Sequence, residues 1–312
     1  MARPLRIEYP GAYYHITSRG NERKAIFKDN TDRKRFLSYL ESAYLRYGAI
    51  IHVYCLMDNH YHLLLETPKG NLSKIMHHIN SAYTTFYNVK HKRTGHLFQG
   101  RYRAILVHAD AYAGELSRYI HLNPVRAGIA DLPEKYTWSS YQYYIGKNNK
   151  PEWLATHFIQ RYFEHNNLSV QDNYANFVSA KIFENNDNPL DRTVASTILG
   201  DNSFIEKVTE KHLNHRNRDR DLPALKELKK IARIDLVYKE AKVVLGYSDS
   251  IARKAALYIC HQFSGKSLKE IGEHFGICES AVTLASYRFR KVMQMDKRLE
   301  KIIELILEKL NL

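Results

Sequence analysis

Cysteine is scarce in this 312-residue chain: Cys55, Cys260 and Cys278 lie far apart, and no Cys-x-x-Cys occurs. That argues against a zinc–thiolate site or a disulfide framework and for a reducing compartment. Long apolar runs are missing too; no stretch approaches the roughly 18 residues that a bilayer-spanning helix needs. The first residues, Met1-Ala2-Arg3-Pro4-Leu5-Arg6, have no apolar run behind them, so no signal peptide is expected. A cytoplasmic protein without a membrane partner is the expectation. The compositional marks of disorder are absent as well. Hydrophobic residues make up 44% and charged residues 26%, values of a globular chain long enough for two domains.

Negative charge is short where positive charge is plentiful. The net charge is +14, from 47 Lys+Arg against 33 Asp+Glu. Residues 1–150 carry 22 against 11, residues 151–200 carry 3 against 6, and residues 201–312 carry 22 against 16. A basic first half in a chain with 23 tyrosines suits a surface that neutralises phosphates and stacks bases.

The pattern along the chain alternates strand and helix signals. Tyr13–Ser18 reads as a first strand. Asn30, Thr31 or Asp32 can cap a helix with Phe36, Leu37, Leu40, Tyr44 and Tyr47 on one side, ended by Gly48. Ile50–Leu56 is a second strand, turning through Asp58-Asn59 into a third that begins at His60. Asn71 can cap a helix through about Lys90. A basic, glycine-punctuated loop at 91–101 leads to a fourth strand, Tyr102–Val107. Asp110 then caps a helix ending near Asn123-Pro124. This β-α-β-β-α-β order predicts an α+β fold, a ferredoxin-like antiparallel sheet with helices.

Within that frame one stretch carries chemistry. Side chains alternate along a strand, so His60 and His62 share a face, roughly 7 Å apart at Cα, and two imidazoles so placed can share a divalent metal. Tyr119 and Asn123 are four apart and share a helical face. Pro124 disfavours helix at Asn123 and is expected to leave its amide at a frayed end, free to turn towards a metal. A tyrosine can attack a phosphodiester to give a 5′-phosphotyrosine and a free 3′-OH. At its usual pKa of about 10 the phenol needs help from a metal that polarises the phosphate. Two histidines and an amide oxygen suit Mg²⁺ or Mn²⁺, the latter matching imidazole better.

His60-Tyr61-His62 resembles the HUH motif. With Tyr119-Ile120-His121-Leu122-Asn123-Pro124-Val125-Arg126-Ala127-Gly128 it is similar to the single-tyrosine HUH transposases, and among these to the REP-associated tyrosine transposases. Tyr14-His15-Ile16-Thr17-Ser18-Arg19-Gly20-Asn21 and Gly95-His96-Leu97-Phe98-Gln99-Gly100-Arg101-Tyr102 extend the likeness over about residues 5–145. The resemblance implies a metal-dependent transposase or endonuclease acting on single-stranded DNA with a folded hairpin. Tyr119 would be the nucleophile, and His60, His62 and Asn123 the metal ligands. Tyr61 departs mildly from the motif's usual aliphatic centre. Arg19, Arg101, Arg103 and Arg126 are candidates for phosphate contacts.

Residues 146–225 read as a helical connector without assigned chemistry, with helical stretches at Trp153–Tyr162 and Val170–Ile182. The run His215–Asp221 reads as an exposed linker. Further on, Ser267 and Glu270 form a capping box, Ile271 and Phe275 point inward, and Gly276 makes a tight turn. A second helix from Glu279 or Ser280 carries Arg288, Arg290 and Lys291. This helix-turn-helix pattern resembles the DNA-binding domain of the replication initiator DnaA over about 226–292. It departs from it at Cys278-Glu279-Ser280-Ala281-Val282, where the initiator has its characteristic recognition run. An all-α domain at 226–312 that takes duplex DNA is therefore expected, closed by an amphipathic helix carrying Leu299, Ile303 and Ile306. Two other readings remain at this level: a repeat- or hairpin-binding regulator with a vestigial nuclease site, and a DNA-bridging protein. A single nucleophilic tyrosine per chain allows a monomer or a homodimer.

Overall fold

The computed structural model describes residues 6–164, 167–183, 188–212, 234–246, 249–264 and 266–310. These fall in two compact units, one within Arg6–His215 and the other within Arg216–Leu312. The linker at 215–221 lies outside the described residues.

In the first unit the strands are β1 (Ala12–Arg19), β2 (Ile50–Met57), β3 (His60–Thr67) and β4 (Arg103–Val107), with helices α1 (Asn30–Tyr47), α2 (Leu72–Lys90) and α3 (Ala109–Arg126) between and after them. The sheet order is β2-β3-β1-β4-β5, where β5 is the two-residue strand Ile198–Leu199. The first four strands pair antiparallel, and β5 adds parallel to β4. The fold is thus α+β, and the histidine strand is interior to the sheet.

The two faces of β3 do different things. Tyr61 points towards α1 and α2, with its ring 4.7 Å from that of Phe36 and its hydroxyl donating to Asn80 Oδ1 at 2.6 Å. Leu64 points the other way, into the core beneath α3 with Leu116 and Ile120. Helix α1 begins one residue earlier than the cap candidates suggest. Asp29 accepts from the Asp32 N–H at 3.0 Å, which frees the Asp32 carboxylate to accept from the Lys28 N–H and to meet Lys90 and His91. Asn71 sits at the start of α2, but its side chain donates to Tyr47 O instead of capping the helix.

Residues beyond 145 join the same core. Short helices α4 (Tyr141–Tyr144) and α5 (His157–Gln160) precede α6 (Val170–Ser179), and α7 (Asn202–His212) follows β5. The helix expected over Trp153–Tyr162 is only this short α5 followed by a 3₁₀ turn at Arg161–Phe163, and α6 stops at Ser179. Phe163, Tyr174, Val178 and Leu199 are buried with Leu116, Ile120, Tyr141 and Tyr144.

The regular elements described in the second unit are all helices: α8 (Ile234–Leu245), α9 (Asp249–Phe263), α10 (Leu268–Phe275), α11 (Glu279–Met295) and α12 (Lys297–Lys309). The capping box of Ser267 and Glu270 is present at the start of α10. Gly276 ends α10 in the left-handed region at φ +62, and a Cβ on Gly272 would lie 2.5 Å from Ile277 O. The turn between α10 and α11 therefore needs both glycines. Ile271, Phe275, Val282, Leu299, Ile303 and Ile306 form the core. No helix among the described residues is long and apolar enough to cross a membrane.

Candidate active site

Strand register builds the site. Across the α3-facing side, Arg19 lies opposite His60, Thr17 opposite His62, and His15 opposite Leu64; on the other flank of β1, Thr17 pairs with Arg103 and His15 with Ile105. All of these side chains except the core residue Leu64 line one cavity of about 500 Å³, completed by Tyr119 and Asn123 from α3, Gln99 and Arg101 from the glycine-punctuated loop, and Leu190.

The turn before β3 holds the first histidine. The Asp58 carbonyl accepts from the N–H groups of Ile26 and Phe27, and its carboxylate pairs with Arg33. Asn59 donates from Nδ2 to Arg23 O at 3.1 Å, which turns its Oδ1 to His60 Nδ1 at 2.7 Å. His62 Nδ1 lies 3.0 Å from His15 Nε2, with the two rings near-parallel and their centroids 5.2 Å apart. Both ligand candidates therefore have Nδ1 engaged, and Nε2 of each remains for the cavity. The His60 and His62 ring centroids are 5.0 Å apart.

Electrostatics keep the imidazoles neutral. Burial lowers His62 well below the usual histidine range, and the neighbouring His15 and His60 add to it. Burial and Arg19 lower His60; burial, with Arg103 nearby, pushes His15 down to about 3. Neutral imidazole is the metal-ligating form.

Tyr119 stands over this pair, its ring edge-on to His62 at 6.0 Å and to His15 at 6.3 Å. Burial raises its pKa; Arg126, whose guanidinium lies 5.3 Å from the ring centroid, and Arg103 act in the opposite direction, while Asp191 adds to the rise. Two expectations about α3 need correction. Helix α3 does not fray at Asn123 but runs through Pro124 to Arg126. His108 rather than Asp110 occupies its N-cap position. Asn123 Nδ2 donates to Tyr119 O at 3.0 Å and to Ile120 O at 3.4 Å, so the amide is held within the helix and its Oδ1 remains for the cavity.

The donor set fits a sparse divalent site: two neutral imidazoles and one amide oxygen. Among the described residues no group of three or more His, Cys, Asp or Glu side chains could hold a metal, so any cation would take further ligands from substrate and water. Arg19, Arg101 and Arg103 rim the cavity, exposed, with Arg19 held to Gln99 Oε1 at 2.8 Å. Arg126 lies instead against Tyr119. Arg288, Arg290 and Lys291 are exposed on α11 in the other unit. His15, Gln99 and Leu190 received no role from the sequence. His15 shared the strand alternation that could have placed it, whereas nothing local marks Leu190.

Residues 8–123 match the family model of IS200-like transposases. The match spans less than half of the chain and contains His60, His62, Tyr119 and Asn123. It ends before the second unit. A solved structure described as a REP-associated tyrosine transposase bound to a REP hairpin is similar, with 16% identity and a TM-score of 0.42. That likeness covers 50% of this chain and 92% of that chain. No curated protein matches the sequence.

Proposed function

We propose that the first unit is a single-stranded DNA transposase or endonuclease in which Tyr119 forms a covalent 5′-phosphotyrosine next to a DNA hairpin. The observation that carries this reading is the convergence of Tyr119 with His60, His62 and Asn123 in one cavity, inside the segment that matches the transposase family. The Tyr119 oxygen attacks phosphorus, the bond to the 3′ oxygen breaks, the phenolic proton is lost and the departing oxygen gains a proton. Arg126 and Arg103 favour the phenolate, and Arg19 and Arg101 are placed to hold phosphates at the rim. His60, His62 and Asn123 would hold Mg²⁺ or Mn²⁺; when bound, such an ion polarises the phosphate and offsets the charge of the transition state. Because the link conserves the bond energy, a 3′-OH can reverse the step and join strands.

The second unit is proposed to bind duplex DNA as a helix-turn-helix through α11, where Arg288, Arg290 and Lys291 are exposed, with Thr283 and Tyr287 exposed on the same helix. The test of the catalytic reading is a denaturing gel. Incubation with labelled single-stranded hairpin oligonucleotides from the gene's own flanks and Mn²⁺ should give a detergent-resistant protein–DNA adduct, lost with chelator and in Tyr119→Phe. Tight hairpin binding with no adduct from the wild type would instead favour a regulator with a vestigial site.

A further inference from the structure

The two candidate ligand histidines are held differently. His60 gives Nδ1 to a carboxamide oxygen, Asn59 Oδ1. An amide oxygen only accepts, so His60 must carry its proton on Nδ1 and keep its Nε2 lone pair for the cavity. His62 has no such oxygen. Its Nδ1 meets a second imidazole, His15 Nε2, at 3.0 Å. A pair of neutral rings in hydrogen bond contains one donor and one acceptor, and the bond can run either way. If His15 donates, His62 carries its own proton on Nε2 and has no lone pair to offer. If His15 accepts, His62 becomes the same tautomer as His60.

We propose that His15 is the positioning residue that makes His62 a ligand, by accepting its Nδ1 proton and holding its ring in plane; the inference rests on the metal-dependent reading above. The packing supports it. His15 is 1% exposed, its ring near-parallel to that of His62 with 13° between them, and closed off by the edge of Tyr119. It is thereby fixed against both the ligand and the nucleophile. The remaining nitrogen, His15 Nδ1, is buried with no partner among the described residues. An arrangement that spends a buried imidazole this way is better explained by a working site than by core packing.

Mn²⁺ alone is the probe, with its binding read by electron paramagnetic resonance on the full chain. His15→Gln places an amide near the position of Nε2 and keeps an acceptor, whereas His15→Phe keeps a ring and removes it. The expected result is tight Mn²⁺ binding by wild type, a loss of about 10–100-fold in His15→Phe, and recovery of most of it in His15→Gln. Thermal unfolding without metal checks that each variant is folded. Should His15→Phe prove unfolded, ¹⁵N-histidine spectra of the Mg²⁺-loaded wild type decide instead, with protons expected on Nδ1 of both His15 and His62. Wild-type affinity in folded His15→Phe overturns the inference and leaves the metal site standing; a proton on His62 Nε2 overturns the inference and removes His62 from the ligand set as well. Failure of the wild type to bind Mn²⁺ overturns the metal reading and this inference with it.

Discussion

Asn123 supplies the hydrogen bond that Pro124 cannot. A helix carbonyl expects the N–H four residues on, and for Ile120 that residue is Pro124, which has none. Asn123 Nδ2 reaches back to Ile120 O and, more closely, to Tyr119 O. The proline thus leaves α3 intact beneath the nucleophile, and the amide is turned so that its oxygen faces the cavity.

From this follows a prediction about two substitutions. Asn123→Ala leaves the Ile120 carbonyl without a donor and should cost about 1–2 kcal/mol. Asn123→Asp sets a carboxylate against two carbonyl oxygens and should cost more than Ala. Urea denaturation of the three proteins measures the order; an Asp variant as stable as wild type would show that the amide does not donate here.

Tyr119→Phe should leave stability within about 0.5 kcal/mol, because no hydrogen bond ties the hydroxyl among the described residues and the ring contacts with His15 and His62 persist. Adduct formation should fall to background. A neighbouring substitution, Tyr112→Phe, should leave the adduct unchanged. Equal adduct from Tyr119→Phe and wild type on a denaturing gel would remove Tyr119 from the chemistry.

Much of the sheet and its two covering helices was legible because each strand alternates and each helix repeats at its own period. The His60 and His62 face follows from that alternation alone. What local pattern could not show is partnership across elements. His15 has the same strand signal as many buried residues, and only the register of β1 against β3 brings it to His62. Helix α3 outlasts the stop that Pro124 suggests at Asn123, because in the last turn of a helix proline forfeits a single bond that a side chain can replace. Strand β5 is two residues long and has no period to detect. The short helices after 145 are set by packing on α3, where tertiary contacts outweigh propensity.

Asp32 gives a pH prediction. Its side chain is fully buried. Burial works to raise the carboxyl, but Lys90, the Lys28 N–H and His91 together hold it below the usual aspartate range. The folded pKa is thus lower than the unfolded value of about 3.9. The resulting stability is present above that value and is lost as pH falls through the folded pKa. Asp32→Asn should therefore cost about 3 kcal/mol at pH 7, with the gap to wild type closing below about pH 4. Urea midpoints for both proteins at pH 7 and pH 3.5 test it; a gap independent of pH would mean that the charge contributes nothing.

The pair at the histidine turn should be asymmetric. Arg33 is 10% exposed and Asp58 is 62% exposed. Removing Asp58 leaves a buried guanidinium without its carboxylate, facing Phe27 and Trp138; removing Arg33 leaves a carboxylate that water can solvate. Asp58→Ala should cost about 2 kcal/mol, and Arg33→Met less. In the double variant, Arg33→Met should recover part of the Asp58→Ala loss. Chemical denaturation of the four proteins closes the cycle, and a double variant at the plain sum of the singles would show no coupling.

The boundary after residue 145 can be tested by truncation. A chain cut there loses Phe163, Tyr174, Val178, Ile198 and Leu199, all buried, together with the Tyr174 hydroxyl that bonds His121 Nδ1 at 2.7 Å and Ser117 Oγ at 2.9 Å. Each fully buried side chain of this size contributes about 1.5–3 kcal/mol. Five of them together reach the total stability of a typical domain, about 5–15 kcal/mol. Residues 6–145 alone should therefore fail to unfold cooperatively, whereas residues 6–215 should give a single sigmoidal transition by circular dichroism. A cooperative transition from 6–145 would mean that the later helices decorate a domain already stable without them, and the constraint they place on α3 and Tyr119 would have to come from the sheet alone.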